Sequence, residues 1–214
     1  MEAKDMPKLE SPFERKKING EYVVIDKIKE DYEWVFENED VLAVEKLDGT
    51  NVSLIVKDGH IQEVWNRKNY IPVFSKKKNH HYIIKGILNS LKSGYCDKLS
   101  NGQYFGELVG PKIQGNPYQL EEHLWIPFKT YSWRKLSYHS WGKYPKTFDA
   151  ISKWFEDGPF SIFYAKKHGL SYSDPKVRFA EGIVFTDPKT DKMAKLRRDM
   201  FSWYRGKRHK ESEN

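Results

Sequence analysis

Hydrophobic residues first gather in a strand-like run at Val41, Leu42, Ala43 and Val44, and a second run, Asn51–Val56, follows closely. Ile61–Trp65 comes next, across Lys57-Asp58-Gly59-His60. An Asp-Gly pair between two such runs predicts a hairpin. From His81 to Lys92 the period changes. Ile83, Ile84, Ile87, Leu88 and Leu91 recur at helical intervals and predict an amphipathic helix. Gln103–Val109 reads as another strand, followed by a connection rich in proline and aromatic residues from Pro111 to Pro145. Thr147 stands where a helix N-cap belongs, with Phe148, Ile151, Trp154 and Phe155 on one face and Gly158-Pro159 as the stop. Ile183–Thr186 and Met193–Leu196 read as strands joined by a turn at Asp187-Pro188, whereas Val23 to Phe36 mixes periods and yields no assignment. Strands interrupted by helices and hairpins, without βαβ alternation, predict an α+β fold with antiparallel sheets. The expected organisation is a polar, mobile leader over 1–20, one folded domain over 21–204 and a charged tail over 205–214.

Composition narrows the class. A chain of 214 residues is long enough for one large domain, and 15% aromatic residues with seven Trp supply bulky filling for its core. No stretch approaches the roughly 20 apolar residues needed to span a bilayer. The N-terminus is charged rather than apolar, so no secretory signal is visible. A single cysteine, Cys96, excludes an internal disulfide and a cysteine-rich zinc site and fits a reducing compartment. His80-His81 opens the predicted helix without a partner at metal-ligand spacing. The expectation is an intracellular protein away from membranes, cytoplasmic or, for a virus, in the host cytoplasm. A net charge of +7 and a pI near 9.2 favour a polyanionic partner, because nucleic-acid binding rests largely on neutralising phosphates. The run Lys76-Lys77-Lys78 is either a phosphate contact or a solvated loop of like charges.

The first two hydrophobic runs are joined by Glu45-Lys46-Leu47-Asp48-Gly49-Thr50-Asn51. An ammonium set between two buried strands is costly unless it is paired or used. Lysine becomes a nucleophile when burial or neighbouring cations lower its pKa from about 10.4. Lys46 is therefore a candidate nucleophile, or half of a Lys–Asp pair in a hairpin turn. Gly49 permits a tight turn and a close approach of backbone to ligand. Three later segments also set charge beside a short apolar run: Phe105-Gly106-Glu107-Leu108-Val109-Gly110, Glu181-Gly182-Ile183-Val184-Phe185 and Lys195-Leu196-Arg197-Arg198. Several strands would then present charges to one cleft.

In this order the segments resemble motifs I, III, IV and V of the covalent nucleotidyltransferases, the superfamily of polynucleotide ligases and messenger-RNA capping enzymes. The Lys46 segment is most similar to the first motif of phage-type double-strand RNA ligases and RNA-editing ligases. Phe105 to Pro111 with Ile113-Gln114 resembles their third, and the resemblance covers Val41 to Arg198. It implies antiparallel sheets with packed helices around a nucleotide cleft, the ligase-type adenylyltransferase domain. Lys46 would attack the α-phosphorus of ATP to give lysyl–AMP, with Lys195 and Arg197 as catalytic cations that also bind the nucleotide. Glu107 would accept hydrogen bonds from the ribose, and Glu181 would hold Mg²⁺ or Mn²⁺ directly or through water. Glu45 would contact the adenine or the turn, Asp48 would orient Lys46 or interact with the metal, and Gly49 would line the nucleotide site. Arg67, in Trp65-Asn66-Arg67-Lys68-Asn69, takes the place of the motif Ia arginine and would hold the 5′-phosphate of the RNA donor strand. Trp125 or Phe128 would stack on the purine, with Phe128 the expected one of the two.

Two departures matter. The family carries two lysines in motif V, where this chain has Lys195 and Arg197. Arginine keeps the charge but is bulkier and cannot release a proton. Few residues flank the motifs, which points to a near-minimal catalytic domain that holds RNA through a protein partner or its own basic surface. The activity implied is an ATP-dependent RNA ligase joining 3′-hydroxyl and 5′-phosphate RNA ends. A capping-type guanylyltransferase is the enzyme alternative, opposed by Thr50-Asn51 and by the form of motif III. A basic RNA-binding module with a ligase fold is the other, opposed by the presence of Lys46, Glu107 and Glu181.

Overall fold

The computed structural model describes residues 2–96, 99–143 and 145–208. Its elements begin with β1 (Phe13–Ile18), β2 (Glu21–Ile28), α1 (Trp34–Glu37), β3 (Leu42–Lys46), β4 (Thr50–Lys57) and β5 (His60–Asn66). β6 (Asn69–Tyr70), α2 (Lys78–Lys92), β7 (Gly102–Val109), β8 (Leu124–Pro127) and α3 (Tyr131–Arg134) follow. α4 (Phe148–Asp157), α5 (Ile162–Lys167), β9 (Gly182–Thr186) and β10 (Met193–Arg197) come next, and a 3-10 turn over Arg198–Met200 closes the order. Every strand pair among the described residues is antiparallel, so the fold is α+β, as the periodicity predicts. The chain forms two compact units: Met1–Lys8 with Leu47–Lys135, and Leu9–Lys46 with Leu136–Asn214. It passes from one to the other after Lys8, after Lys46 and after Lys135.

The unit of Leu9–Lys46 and Leu136–Asn214 contains a hairpin, β1–β2, and a three-stranded sheet in the order β10-β9-β3. Within the leader expected over 1–20, Phe13–Ile18 is a strand of this hairpin. Its cause is legible in two places. Asn19 and Gly20 both have positive φ (52° and 86°), the Asn-Gly hairpin turn. Phe13 is buried, with its ring centroid 5.1 Å from those of Phe36 and Phe148. The mixed segment resolves into β2 and α1. One face of the sheet, with Ala43, Ile183, Phe185, Ala194 and Leu196, joins Phe155 and Phe201 in a continuous core. α4 starts where expected, with Thr147 Oγ1 accepting from the Ala150 N–H. α5 lay outside the sequence assignment; Ser161 caps it by accepting from the Tyr164 N–H at 2.9 Å. Most of the expected charged tail, from residue 209 on, lies outside the described residues.

The other unit is a five-stranded sheet in the order β6-β5-β4-β7-β8. Asp58 and Gly59, with φ of 54° and 75°, turn β4 into β5 as predicted. α2 begins at Lys78 rather than His81, and it buries a narrower stripe than its periodicity implies. Ile83 and Ile87 pack with Val52, Leu54, Leu108 and Trp125, while Leu88 and Leu91 face solvent. Gly86 accounts for the close seat of this helix, because a Cβ there would collide with Leu108 Cδ1. The Pro111–Pro145 connection holds a strand and a helix, β8 and α3, that hydrophobic periodicity did not reveal. β8 reads Leu-Trp-Ile-Pro, buried on both faces, and so lacks the alternation of a half-exposed strand. Among the described residues no helix is long and apolar enough to cross a membrane.

Candidate active site

Strand register assembles the charged residues of the three-stranded sheet. Lys46 on β3 lies opposite Gly182 on β9, which lies opposite Arg197 on β10. The next row on the same face is Val44, Val184 and Lys195. Lys46, Lys195 and Arg197 therefore share one face, while their neighbours Glu45, Leu196 and Ala194 share the opposite, core face. Glu181, just before β9, accepts a hydrogen bond from Lys46 Nζ at 2.6 Å, between side chains 23% and 11% exposed. A charge-assisted bond of that length holds the amine at one end of the row. Arg197 is buried at the other end, its Nε donating to Asp199 Oδ1 at 2.8 Å. The backbone of Lys195 donates to the Glu10 carbonyl at 2.8 Å, tying the outer edge of β10 to the chain just before β1.

Gly182 makes the row possible. A Cβ at this position would collide with the Leu196 carbonyl and lie 2.8 Å from Arg197 Cα. A larger residue would push β10, and with it Lys195 and Arg197, away from Lys46.

Glu45 has a different place from the expected one. It is fully buried on the core face, where Oε1 accepts from the Ser161 hydroxyl at 2.5 Å and Oε2 from the Phe163 N–H at 2.8 Å. Both oxygens are thus engaged at the start of α5, on the opposite face of the sheet from Lys46. Burial pushes its carboxyl from 4.5 up to about 7, against the opposing effects of the Ser161 hydroxyl, the Phe163 and Ile162 N–H groups and Lys166.

In the five-stranded unit, Asp48, Gly49 and Glu107 come together. Glu107 on β7 is half-buried, opposite Asn51 on β4. A Cβ on Gly49 would collide with the Leu108 carbonyl and lie 2.8 Å from Glu107 Cγ. Gly49 is thus required by the approach of β7. Two residues outside the expected set hold this segment. The Tyr118 hydroxyl accepts from the Asp48 N–H at 2.7 Å, and the Gln114 amide donates to the Gly49 carbonyl at 3.2 Å. Tyr118 carried no spacing signal, whereas Gln114 belongs to the segment that resembles motif III.

Phe128 follows β8, half-buried, with its ring 5.8 Å from that of Trp133. Trp125, its rival, is a core residue whose indole N–H donates to the Val52 carbonyl at 3.0 Å. Arg67 occupies the turn between β5 and β6 with φ 54°, its side chain more than half exposed and 3.8 Å from Asp5. An exposed pair at that distance contributes little to stability.

The sequence matches the RNA ligase family over residues 39–200. That is most of the chain, and the chain belongs to this family. No curated protein sequence matches significantly. Among solved structures, an apo mutant of the Naegleria gruberi RNA ligase is similar at 19% identity, with 76% of this chain and 51% of that chain covered and a TM-score of 0.43. The same ligase with pyrophosphate gives 18%, 76%, 51% and 0.41. A mutant of it with ATP and Mn gives 17%, 92%, 62% and 0.45. These likenesses are distant, and the chain spans about half the length of the first two.

Proposed function

We propose that the chain is an ATP-dependent RNA ligase that joins a 3′-hydroxyl to a 5′-phosphate through a lysyl–AMP intermediate on Lys46. The observation that carries this reading is the row Lys46–Gly182–Arg197, with Glu181 2.6 Å from Lys46 Nζ, in a chain of the RNA ligase family. In the first step Nζ, as the free amine, forms a bond to the α-phosphorus of ATP. The bond from that phosphorus to the bridging oxygen breaks, pyrophosphate leaves and the amine gives up a proton. In the second, an oxygen of the RNA 5′-phosphate attacks the same phosphorus, and Lys46 leaves and regains its proton. In the third, the 3′-hydroxyl attacks the activated 5′-phosphate and AMP departs.

The residues divide this work by charge and position. Glu181 holds Lys46 in place before the nucleotide arrives. Lys195 and Arg197 set positive charge on the same sheet face, suited to the triphosphate. Glu107 is suited to the ribose hydroxyls, Phe128 to the purine and Arg67 to the donor 5′-phosphate. Asp48 and Gly49, gripped by Tyr118 and Gln114, fix the backbone that follows the nucleophile.

A divalent ion fits this donor set. Among the described residues no group of three or more His, Cys, Asp or Glu is placed to hold a metal. Magnesium does not require one, because it takes one or two carboxylates and completes its shell with water and phosphate oxygens. Glu181 is the residue that would hold Mg²⁺ or Mn²⁺. Bound there with the nucleotide, the ion supplies charge neutralisation on the phosphates.

Incubation with α-labelled ATP or α-labelled GTP and Mg²⁺, followed by denaturation, tests the reading. Label from ATP retained on the protein is the expected result. Retention from GTP alone would indicate a capping-type enzyme, and retention from neither would overturn covalent chemistry.

A further inference from the structure

The charge of this chain is concentrated in one stretch. Residues 64–96 carry seven Lys and Arg and not one Asp or Glu, which equals the +7 of the whole chain and leaves the remainder balanced. In the structure this stretch lies within the five-stranded unit and runs from the end of β5 through β6 and a loop into α2. The loop is anchored at both ends. Ile71 is buried and donates to the Val64 carbonyl at 2.8 Å. The Ser75 hydroxyl accepts from the Lys77 N–H at 3.2 Å, and its carbonyl meets the His81 ring. Between these anchors Phe74 is 98% exposed and Val73 62%, with Tyr70 half-exposed on β6.

Lys76, Lys77 and Lys78 follow, all exposed and without an ion pair among the described residues. They stand at the N-terminal end of α2, whose first turn holds no acid. Cations at that end of a helix oppose its dipole. The outward face of α2 continues the pattern with exposed Lys85, Leu88 and Lys92. Lys78, Lys85 and Lys92 succeed one another at about 10 Å along the axis. An anchored loop that shows a bare aromatic ring to solvent beside unpaired lysines suits a polyanion with flat apolar faces. Single-stranded nucleic acid has that chemistry, since aromatic side chains stack on its bases while cations follow its backbone.

We infer that the loop at 70–78 and the outward face of α2 form a docking surface for an RNA strand, with Phe74 stacking on an unpaired base and the lysines meeting phosphates. The inference rests on the RNA ligase reading for the identity of the strand. Its test is binding of a short, labelled, 5′-phosphorylated single-stranded RNA, followed by fluorescence anisotropy over a range of salt concentrations. The proteins compared are the parent, Phe74→Ala and the triple variant Lys76→Ala/Lys77→Ala/Lys78→Ala. Three lost phosphate contacts should weaken binding about 10-fold or more and flatten the log–log salt slope by about 2. Phe74→Ala should weaken binding about 10-fold with the slope unchanged. Both variants should take up label from ATP as the parent does, because these side chains lie outside the proposed nucleotide site. Parental affinity and slope in both variants would overturn the docking surface even if labelling succeeds. A parent that takes no label but shows these RNA-binding losses would overturn the ligase chemistry and leave the surface standing.

Discussion

In the sheet β10-β9-β3 strand register gathers Lys46, Lys195 and Arg197, whereas in the other unit register places Glu107 but contacts from outside the strands hold the Asp48-Gly49 segment. Lys46, Gly182 and Arg197 are opposite one another because three short strands pair without a bulge. Their spacing follows from backbone hydrogen bonds alone. Asp48 and Gly49 precede β4 and depend instead on Tyr118, Gln114 and the approach of β7. Register is cooperative, since moving one strand moves every residue on it. A side-chain hydrogen bond is local and contributes about 1 kcal/mol. The sheet β10-β9-β3 should therefore respond to substitution as a block, and the Asp48 segment contact by contact.

The largest effect expected is that of Lys46→Ala. On the proposed chemistry it removes the nucleophile, so labelling by α-labelled ATP should vanish while circular dichroism and Tm stay near the parent values. Retained label would move the reacting residue elsewhere.

Next come the two glycines, which set register against local contact directly. Gly182→Ala forces β10 outward and displaces Lys195 and Arg197 together. A shift of about 1 Å can reduce rate about 100-fold, and overpacking costs about 1–3 kcal/mol. Gly49→Ala meets the Leu108 carbonyl and Glu107 Cγ and should lower labelling as well, by displacing β7 where it carries Glu107. Labelling rates at saturating and limiting ATP separate the two. The Gly182 variant should lose rate at saturation, and the Gly49 variant should lose mainly apparent nucleotide affinity. The contrast between the units fails if both variants lose the same parameter.

Glu45→Gln sharpens the comparison through pH. The parent carboxyl is raised from 4.5 to about 7 in the folded state, so between those values the folded protein binds more protons than the unfolded chain. Parent stability should fall as pH rises from about 4.5 to about 7, by on the order of 3 kcal/mol, and level off above. The Gln variant lacks this titration and should show a flatter profile in urea unfolding across the same window. Parallel profiles would assign the linkage to another group.

The smallest effect belongs to Tyr118→Phe. It removes one hydrogen bond to the Asp48 N–H, worth about 1 kcal/mol, so labelling should drop about 5-fold with register intact. A loss as large as that of Gly182→Ala would show that the Asp48 segment is held as cooperatively as the sheet.

The elements with a clear period were legible in the chain: β3, β4, the Asp58-Gly59 turn, β7, α4, β9 and β10. The motif segments stood out as charged residues beside short apolar runs, and register sets three of those charges, Lys46, Lys195 and Arg197, on one sheet face. The β1–β2 hairpin was also written there, in Asn19-Gly20, but the charged run Glu14 to Lys17 hid a strand exposed along much of its length. Only the tertiary structure decided the rest. Alternation places Glu45 and Lys46 on opposite faces of β3, yet which face is core depends on Ile183, Phe185 and Leu196, far away in sequence. The reasons for Gly49 and Gly182 lie in the backbone of β7 and β10, which no local pattern around either glycine contains. Local periodicity reports what a residue prefers, and long-range packing decides what it touches.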